Sequence, residues 1–397
     1  LSMGFLSGSA SFARYRITND PTGVFGEEHL KLLGEHKIKS TGRNLYEQPS
    51  VGFLGGAHIL DTKFDFEKNI LEEAMHFAIR IDSCQIPGPI KRAWTHIELS
   101  GALKDNPSGR PSKVQREEAR DAVEARCAEE SKKGNYQKMT VIPILWDSAT
   151  ETLFVGNTSE KTIDFCLSFM HDVFGLEFSK ISSGKLALEF ANSAEMTAAV
   201  YDASPAPFHP GTEGKVIWWN GMKDNYDFLG NEFLLWLWWN WQINDGTILL
   251  NDDSEVAGLF ARSLSLDCPL GENGKETISS DSPVTLPEAV LAIRNGKLPR
   301  KAGLTLVRNG EQYDLALQAE TFSIGSARIK QLGNDVAAAD HFDRIESLRQ
   351  LVATLDLTFD VFCTARFSGE WAKELQKIQS WLTSDQAAKK TNKQKAA

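Results

Sequence analysis

The chain is poor in most of what marks a catalytic, secreted or membrane protein. Its five cysteines (Cys84, Cys127, Cys166, Cys268 and Cys363) are scattered over 397 residues, with no C-x-x-C pair. That odd, dispersed set excludes a disulfide framework and suits free thiols in a reducing cytoplasm. Long apolar runs are missing too. The longest, at 233–239, has seven residues, against the ~20 that a membrane span needs. No basic n-region followed by an apolar h-region opens the sequence, and Met3 reads as the natural start. G-x-x-x-x-G-K-[ST], H-E-x-x-H and G-x-S-x-G are absent, as is a G-x-G-x-x-G following a strand.

No histidine is grouped with cysteines or carboxylates in a metal-site pattern. His29 and His36 are seven apart and could share a helix face, as surface histidines often do. A metal-dependent nuclease needs converging carboxylates. Asp61, Asp65 and Glu67 sit among lysines and read as a salt-paired surface, while Asp252, Asp253 and Glu255 read as an acidic turn. The expectation is a protein without catalytic residues, cofactor or metal, soluble and cytoplasmic.

What is present is charge, unevenly placed. The composition is that of an ordinary globular protein, 42% hydrophobic and 24% charged, with a net charge of −10. Yet residues 85–138 hold 11 Lys/Arg against 8 Asp/Glu, a net +3 that leaves −13 for the rest. This arm begins at Ile86-Pro87-Gly88-Pro89-Ile90, whose prolines disfavour helix at Ile86 and Gly88. A helix is expected over 90–103 and a break at 106–111. Ser112 stands three residues before Gln115, the spacing of a capping box, so a second helix starts there. Lys113, Arg116 and Arg120 fall on one stripe of it, and Val114, Ala122 and Ala125 on a thin apolar one. Glu117–Arg120, Arg120–Glu124 and Glu129–Lys133 are spaced for ion pairs. The stripe therefore has two readings, a phosphate-binding surface or a solvated helix held by its own glutamates.

Elsewhere the pattern is mixed. Residues 9–17 alternate as a strand with Arg14 and Arg16 on one face. A helix is expected over 27–37, a glycine-bearing turn at 51–56, a strand at 77–81, two strands at 141–146 and 152–155, and a helix over 159–174. Residues 202–214, with three prolines and two glycines, read as a linker. The Trp-rich 227–241 is apolar all round and should be buried, with base stacking as the alternative. A short helix at 286–294 leads into a basic loop at 295–301. Asn309-Gly310 joins two strands as a type I′ hairpin turn. Helical spacing runs from 340 to 383, and a basic tail closes the chain.

The ordered phrases Val51-Gly52-Phe53-Leu54-Gly55, Gln85-Ile86-Pro87-Gly88-Pro89-Ile90, Pro143-Ile144-Leu145-Trp146-Asp147 and the Trp-rich 229–239 resemble RdgC, a bacterial recombination-associated DNA-binding family, in its longer branch. The helix, turn and strand at 288–306 fit as well. The resemblance implies a crescent-shaped protomer and a homodimer closing into a ring around duplex DNA. It further implies binding without sequence preference, restraint of RecA-promoted strand exchange, and a nucleoid location. The family's lysine-rich stretch before the last hairpin has a single lysine here, Lys275, and 202–274 is extra material.

The combined expectation is an α+β protein with mixed or antiparallel sheets and long helices. Five segments are expected: 1–201, which carries the arm, 202–274, 275–335, 336–384 and a tail at 385–397. Its partners would be duplex DNA, or single-stranded DNA, and a second copy, but no membrane. DNA contacts are expected from Lys91, Arg92, Arg110, Lys113, Arg116 and Arg120, from Lys297, Arg300 and Lys301, and from Arg14 and Arg16. Two alternatives stand beside this: an interaction scaffold using the Trp-rich segment, and a metal-dependent exonuclease.

Overall fold

A computed structural model describes residues 4–19, 24–39, 45–103, 110–209, 214–219, 225–283, 286–329 and 338–383. The expected basic tail and most of the 106–111 break lie outside the described residues. After a 3-10 turn at Gly4–Leu6 come β1 (Ser9–Ile17), α1 (Glu27–Glu35), β2 (Ser50–Leu54), α2 (Phe66–Asn69), β3 (Ile70–Leu71) and β4 (Ala74–Cys84). Next are α3 (Gly88–Leu103), α4 (Lys113–Lys132), β5 (Gln137–Asp147), β6 (Thr152–Val155), α5 (Glu160–Phe174), β7 (Phe178–Lys180), α6 (Ser183–Ser193) and α7 (Thr197–Tyr201). The rest are α8 (Phe228–Ile243), β8 (Thr247–Leu249), β9 (Glu255–Asp267), β10 (Glu276–Pro283) and α9 (Pro287–Arg294). The last are β11 (Leu298–Arg308), β12 (Glu311–Gln318), β13 (Ile324–Arg328), α10 (Ala338–Phe367) and α11 (Trp371–Thr383). The fold is α+β with antiparallel ladders, as expected.

The chain divides into two compact units. The first holds the described residues of Val24–Ile144 and Cys166–Gly175. The second holds those of Gly4–Gly23, Leu145–Phe165 and Leu176–Ala397. The expected boundary at 201/202 falls inside the second unit, and the proline-rich 202–214 is not a junction between the two.

In the first unit β4 is flanked by β2 and β5, with β3 pairing its start. Residues 50–54 form a strand, not the expected turn. Gly52 is needed for close approach: a Cβ there would lie 2.4 Å from the Ile38 Cα, where the chain at Lys37 bridges Phe53. Phe53 is the hub of the core, with its ring centroid 5.4 Å from Phe77, 4.7 Å from Phe169 and 5.8 Å from Phe174.

In the second unit the strand order is β10-β9-β11-β12-β13-β1-β6, with β7 on β1 and β8 on β9. The β11–β12 hairpin pairs Arg308 with Glu311, and both turn residues, Asn309 (φ 52°) and Gly310 (φ 82°), have the positive φ of a type I′ turn. Residues 298–301, expected in a basic loop, are the start of β11. The strand β9 was not expected. Its acidic approach, Asp252-Asp253, read as a turn, and Arg262, at φ 65°, interrupts its alternation.

Thirteen of the sixteen residues of α8 are buried, ten of them large and apolar, so the Trp-rich segment is core. At ~1.5–3 kcal/mol per buried side chain, those ten contribute on the order of 20 kcal/mol of gross burial energy. Phe233 meets Phe322, Phe359 and Phe362 at 5.9, 5.1 and 5.7 Å. Gly230 lets the helix touch the sheet, since a Cβ would fall 1.9 Å from the Ala319 carbonyl oxygen. The buried Asn231 and Glu232 of α8 are matched as burial requires: Asn231 donates to the Pro299 carbonyl at 2.8 Å, and Glu232 accepts from Arg366 at 2.6 Å.

Candidate nucleic-acid interface

Every expected contact residue is basic, so the question is which cations are free of a counter-charge. In the arm, α3 starts at Gly88, two residues before the expected position. Pro89 sits in the first turn, where a missing N–H costs nothing. The capping box forms as read: Ser112 accepts from the Gln115 amide at 3.2 Å, and Gln115 Oε1 accepts from the Ser112 amide at 3.0 Å. The buried stripe of α4 is Ala119, Val123, Cys127 and Ser131, at a spacing of four. It replaces the expected Val114, Ala122 and Ala125, all of which are exposed. Its Val123 and Cys127 pack with Leu45, Cys84, Ile86 and Trp94. Gln115 Nε2 donates to the Ala102 carbonyl at 3.1 Å and ties the start of α4 to the end of α3.

Lys91 is not available to a phosphate. Its Nζ donates to the Tyr46 hydroxyl at 2.6 Å, and that hydroxyl donates to Glu124 Oε2 at 2.6 Å. Burial first, and then the Glu124 carboxylate, raise the Tyr46 phenol above its ordinary value, so it stays a donor. Of the three expected helix pairs only Glu129–Lys133 forms, at 2.8 Å. Arg120 pairs with neither Glu117 nor Glu124.

What remains is a group of exposed cations. Arg92, Lys113 and Arg120 have no ion-pair partner among the described residues, and Arg116 donates only to the Pro111 carbonyl, at 3.1 Å. Arg110 is exposed beside the cap. The first turn of α4 contains no acidic residue. Cations there oppose the helix dipole, which favours an anion at its N-terminus. Lys132 and Lys138 are also exposed and have no ion-pair partner among the described residues, and sequence reasoning passed over both.

The second unit's expected cations are mostly engaged. Arg14 is buried and grips Asp356 with two bonds, at 2.7 and 2.8 Å. Arg16 pairs with Glu189 at 2.8 Å. Lys297 is buried against Glu276 at 2.6 Å. Arg300 bonds Glu320 at 2.6 Å and lies over the Trp218 ring at 4.5 Å. Lys301 is exposed and has no ion-pair partner among the described residues. The expectation that Arg14, Arg16, Lys297 and Arg300 face a ligand is corrected accordingly. Each turns toward a carboxylate that no local pattern reveals.

The acidic candidates are occupied as well. Asp61 accepts from Lys68 at 3.0 Å and from the Ala57 and Lys63 amides at 3.0 and 3.1 Å. Burial pushes its carboxyl up, but those donors outweigh it and hold it below the ordinary value. Asp65 caps α2, and Asp252 is held by Ser254 and Arg308. His29 is bonded by the Gly26 amide at 3.3 Å. No group of three potential metal ligands occurs among the described residues, and no described helix is long and apolar enough to cross a membrane.

Comparison with protein-family models and with curated proteins finds no match.

Proposed function

We propose that the chain binds duplex DNA without sequence preference through Arg92, Arg110, Lys113, Arg116 and Arg120. One observation carries this reading: Arg92 on α3 and Lys113, Arg116 and Arg120 on α4 are exposed, and none of them is paired with a carboxylate among the described residues. Lys113 to Arg120 spans roughly 10 Å at ~1.5 Å per residue. A duplex presents about six phosphate charges over that length, at one per ~1.7 Å. Charge without base-reading chemistry gives position, not sequence choice. The resemblance to RdgC supports the rest of the proposal: a homodimer ringed around the duplex, acting at the nucleoid to restrain strand exchange. The scaffold alternative loses its contact surface, because the Trp-rich helix is interior.

The test is duplex binding across salt. Five phosphate contacts give a log–log slope of about −4.5, or an affinity loss of roughly 500-fold between 50 and 200 mM salt. Combining Lys113→Glu, Arg116→Glu and Arg120→Glu should flatten that slope by about three units. A flat wild-type response, or a triple variant that binds as before, refutes the interface. Mass in solution with a short duplex tests the ring separately, and a monomer on DNA rules it out.

A further inference from the structure

The last turn of α8 is the exception to that helix's burial. The three residues that α8 leaves unburied, Asn240, Gln242 and Ile243, all lie there, and Ile243 is 48% exposed. Beside this turn runs α11, tied to α8 by two indole bonds. Trp236 donates to Glu374 at 2.8 Å, and Trp381 donates to Gln242 at 2.9 Å. Ile378 and Leu382 of α11 are buried. Lys373, Gln376 and Lys377, at positions i, i+3 and i+4, share another face of it. Between that face and the end of α8 lies an open groove of about 700 Å³, lined by those three residues with Trp239, Ile243 and Trp381.

The groove combines apolar surface with positive charge. Trp239, Ile243 and Trp381 supply the first, and two lysines the second. Lys377 is exposed and has no ion-pair partner among the described residues. Lys373 meets Glu370 at 2.6 Å, but both side chains are exposed, and a surface pair of this kind is weak and exchanges readily. Among the described residues no carboxylate lines the groove. Its complement is therefore apolar and acidic. The chain's own residues 384–397, which follow α11, have the wrong charge, with four lysines against one aspartate. A single-stranded nucleic acid has the right charge but needs open ring faces on which to stack, and Trp239 is only 5% exposed.

We propose that this groove docks an acidic amphipathic helix of a partner protein. From Lys373 to Trp381 the lining extends over roughly 12 Å at ~1.5 Å per residue, about two turns of a partner helix. Apolar side chains at i, i+3 and i+4 of that helix seat against Trp239, Ile243 and Trp381, the way amphipathic helices lie in apolar grooves. Its carboxylates meet Lys373 and Lys377, where charge sets orientation and speeds encounter more than it adds affinity. The two indole bonds fix α11 against α8 before the partner arrives, so docking has little of this chain left to order. None of the residues assigned to DNA takes part, and the chain gains a protein contact beside its duplex.

A synthetic probe tests this on the full-length protein. It is a fluorescein-labelled helix of about 15 residues, with leucine at i, i+3, i+4 and i+7 and glutamate at most other positions. Its anisotropy should saturate, and a lysine probe of the same pattern should bind at least about tenfold more weakly. Lys373→Glu combined with Lys377→Glu should weaken the glutamate probe at least about tenfold. Ile243→Asp should do the same, and because all three side chains are exposed, circular dichroism should show these variants folded. A glutamate probe that fails to saturate, a lysine probe that binds equally, or variants that bind like the wild type overturn the proposal. Displacement of the probe by oligo(dT) also overturns it, in favour of single-stranded nucleic acid. A dimer that Ile243→Asp splits into monomers overturns it in favour of a second copy of this chain.

Discussion

The arm and the β1-centred sheet carry cations under opposite conditions. On the sheet and just before β11, Arg14, Arg308 and Lys297 lie within the protein, and each meets a carboxylate: Asp356, Asp252 and Glu276. On α3 and α4 the cations stand on faces that solvent reaches, and Arg92, Lys113, Arg116, Arg120 and Lys132 have no ion-pair partner among the described residues. Physics separates the two sets. An unpaired charge in the interior costs several kcal/mol, so a strand that buries one must find it a counter-ion. A helix flank carries no such demand, and a cation there can remain uncommitted until a ligand arrives. A basic residue is thus informative about binding only once its burial is known.

The contrast can be broken most strongly at Arg14. Replacing it with alanine strips Asp356 of its bidentate partner and should cost about 3 kcal/mol of stability. Denaturant unfolding measures the loss, and the salt slope of duplex binding by folded protein should not change. Two neighbours in the arm sharpen the comparison further. Lys91→Ala cuts the Lys91–Tyr46–Glu124 chain and should lower stability by about 1–2 kcal/mol without altering the salt slope. Arg92→Ala, one residue on, should do the reverse, reducing the slope by about one unit with stability unchanged within roughly 0.5 kcal/mol. If both substitutions behave alike, burial is not what sorts these cations.

The Arg14 site holds more negative charge than the arginine neutralises. Asp360 is pushed up to about 6, by burial first and then by Asp356 and Glu189. A carboxyl raised in the folded state binds its proton more tightly there than in the unfolded chain. Its contribution is therefore full below about pH 4 and is lost as pH rises from about 4 to 6. Partial solvent access reduces the effect to on the order of 1 kcal/mol. Asp360→Asn should flatten stability across that window, as thermal unfolding at a series of pH values would show. Smallest of all, Lys301→Ala should change stability by less than about 0.5 kcal/mol. The substitution has no ion-pair partner to release.

Local chemistry was legible wherever cause and effect lie close in sequence. Ser112 with Gln115 announced the start of α4, and Asn309-Gly310 announced the hairpin. The unbroken apolar surface of 227–241 announced a buried helix. The state of each cation was not legible, because its determinant is remote: Arg14 and Asp356 are 342 positions apart. Even within the arm, Lys91 and Arg92 look equivalent until Tyr46, 45 positions earlier than Lys91, settles which is bound. The α4 stripe was misplaced for a related reason. Ala119, Val123, Cys127 and Ser131 are small side chains, and the large partners Trp94 and Ile86, which cover Val123 and Cys127, come from elsewhere in the sequence.

The interior position of α8 also sets an order of events during synthesis. Its rings Phe233, Trp236, Trp238 and Trp241 leave the ribosome before Phe260, Phe322, Phe359 and Phe362, the rings that pack on them. At ~5–20 residues per second, the gap to α10 lasts roughly 6–25 seconds. For that interval the nascent chain displays its most adhesive surface with nothing to cover it. Holding that helix apart from other chains is then a task for chaperones, and a product truncated before α10 would keep the liability permanently.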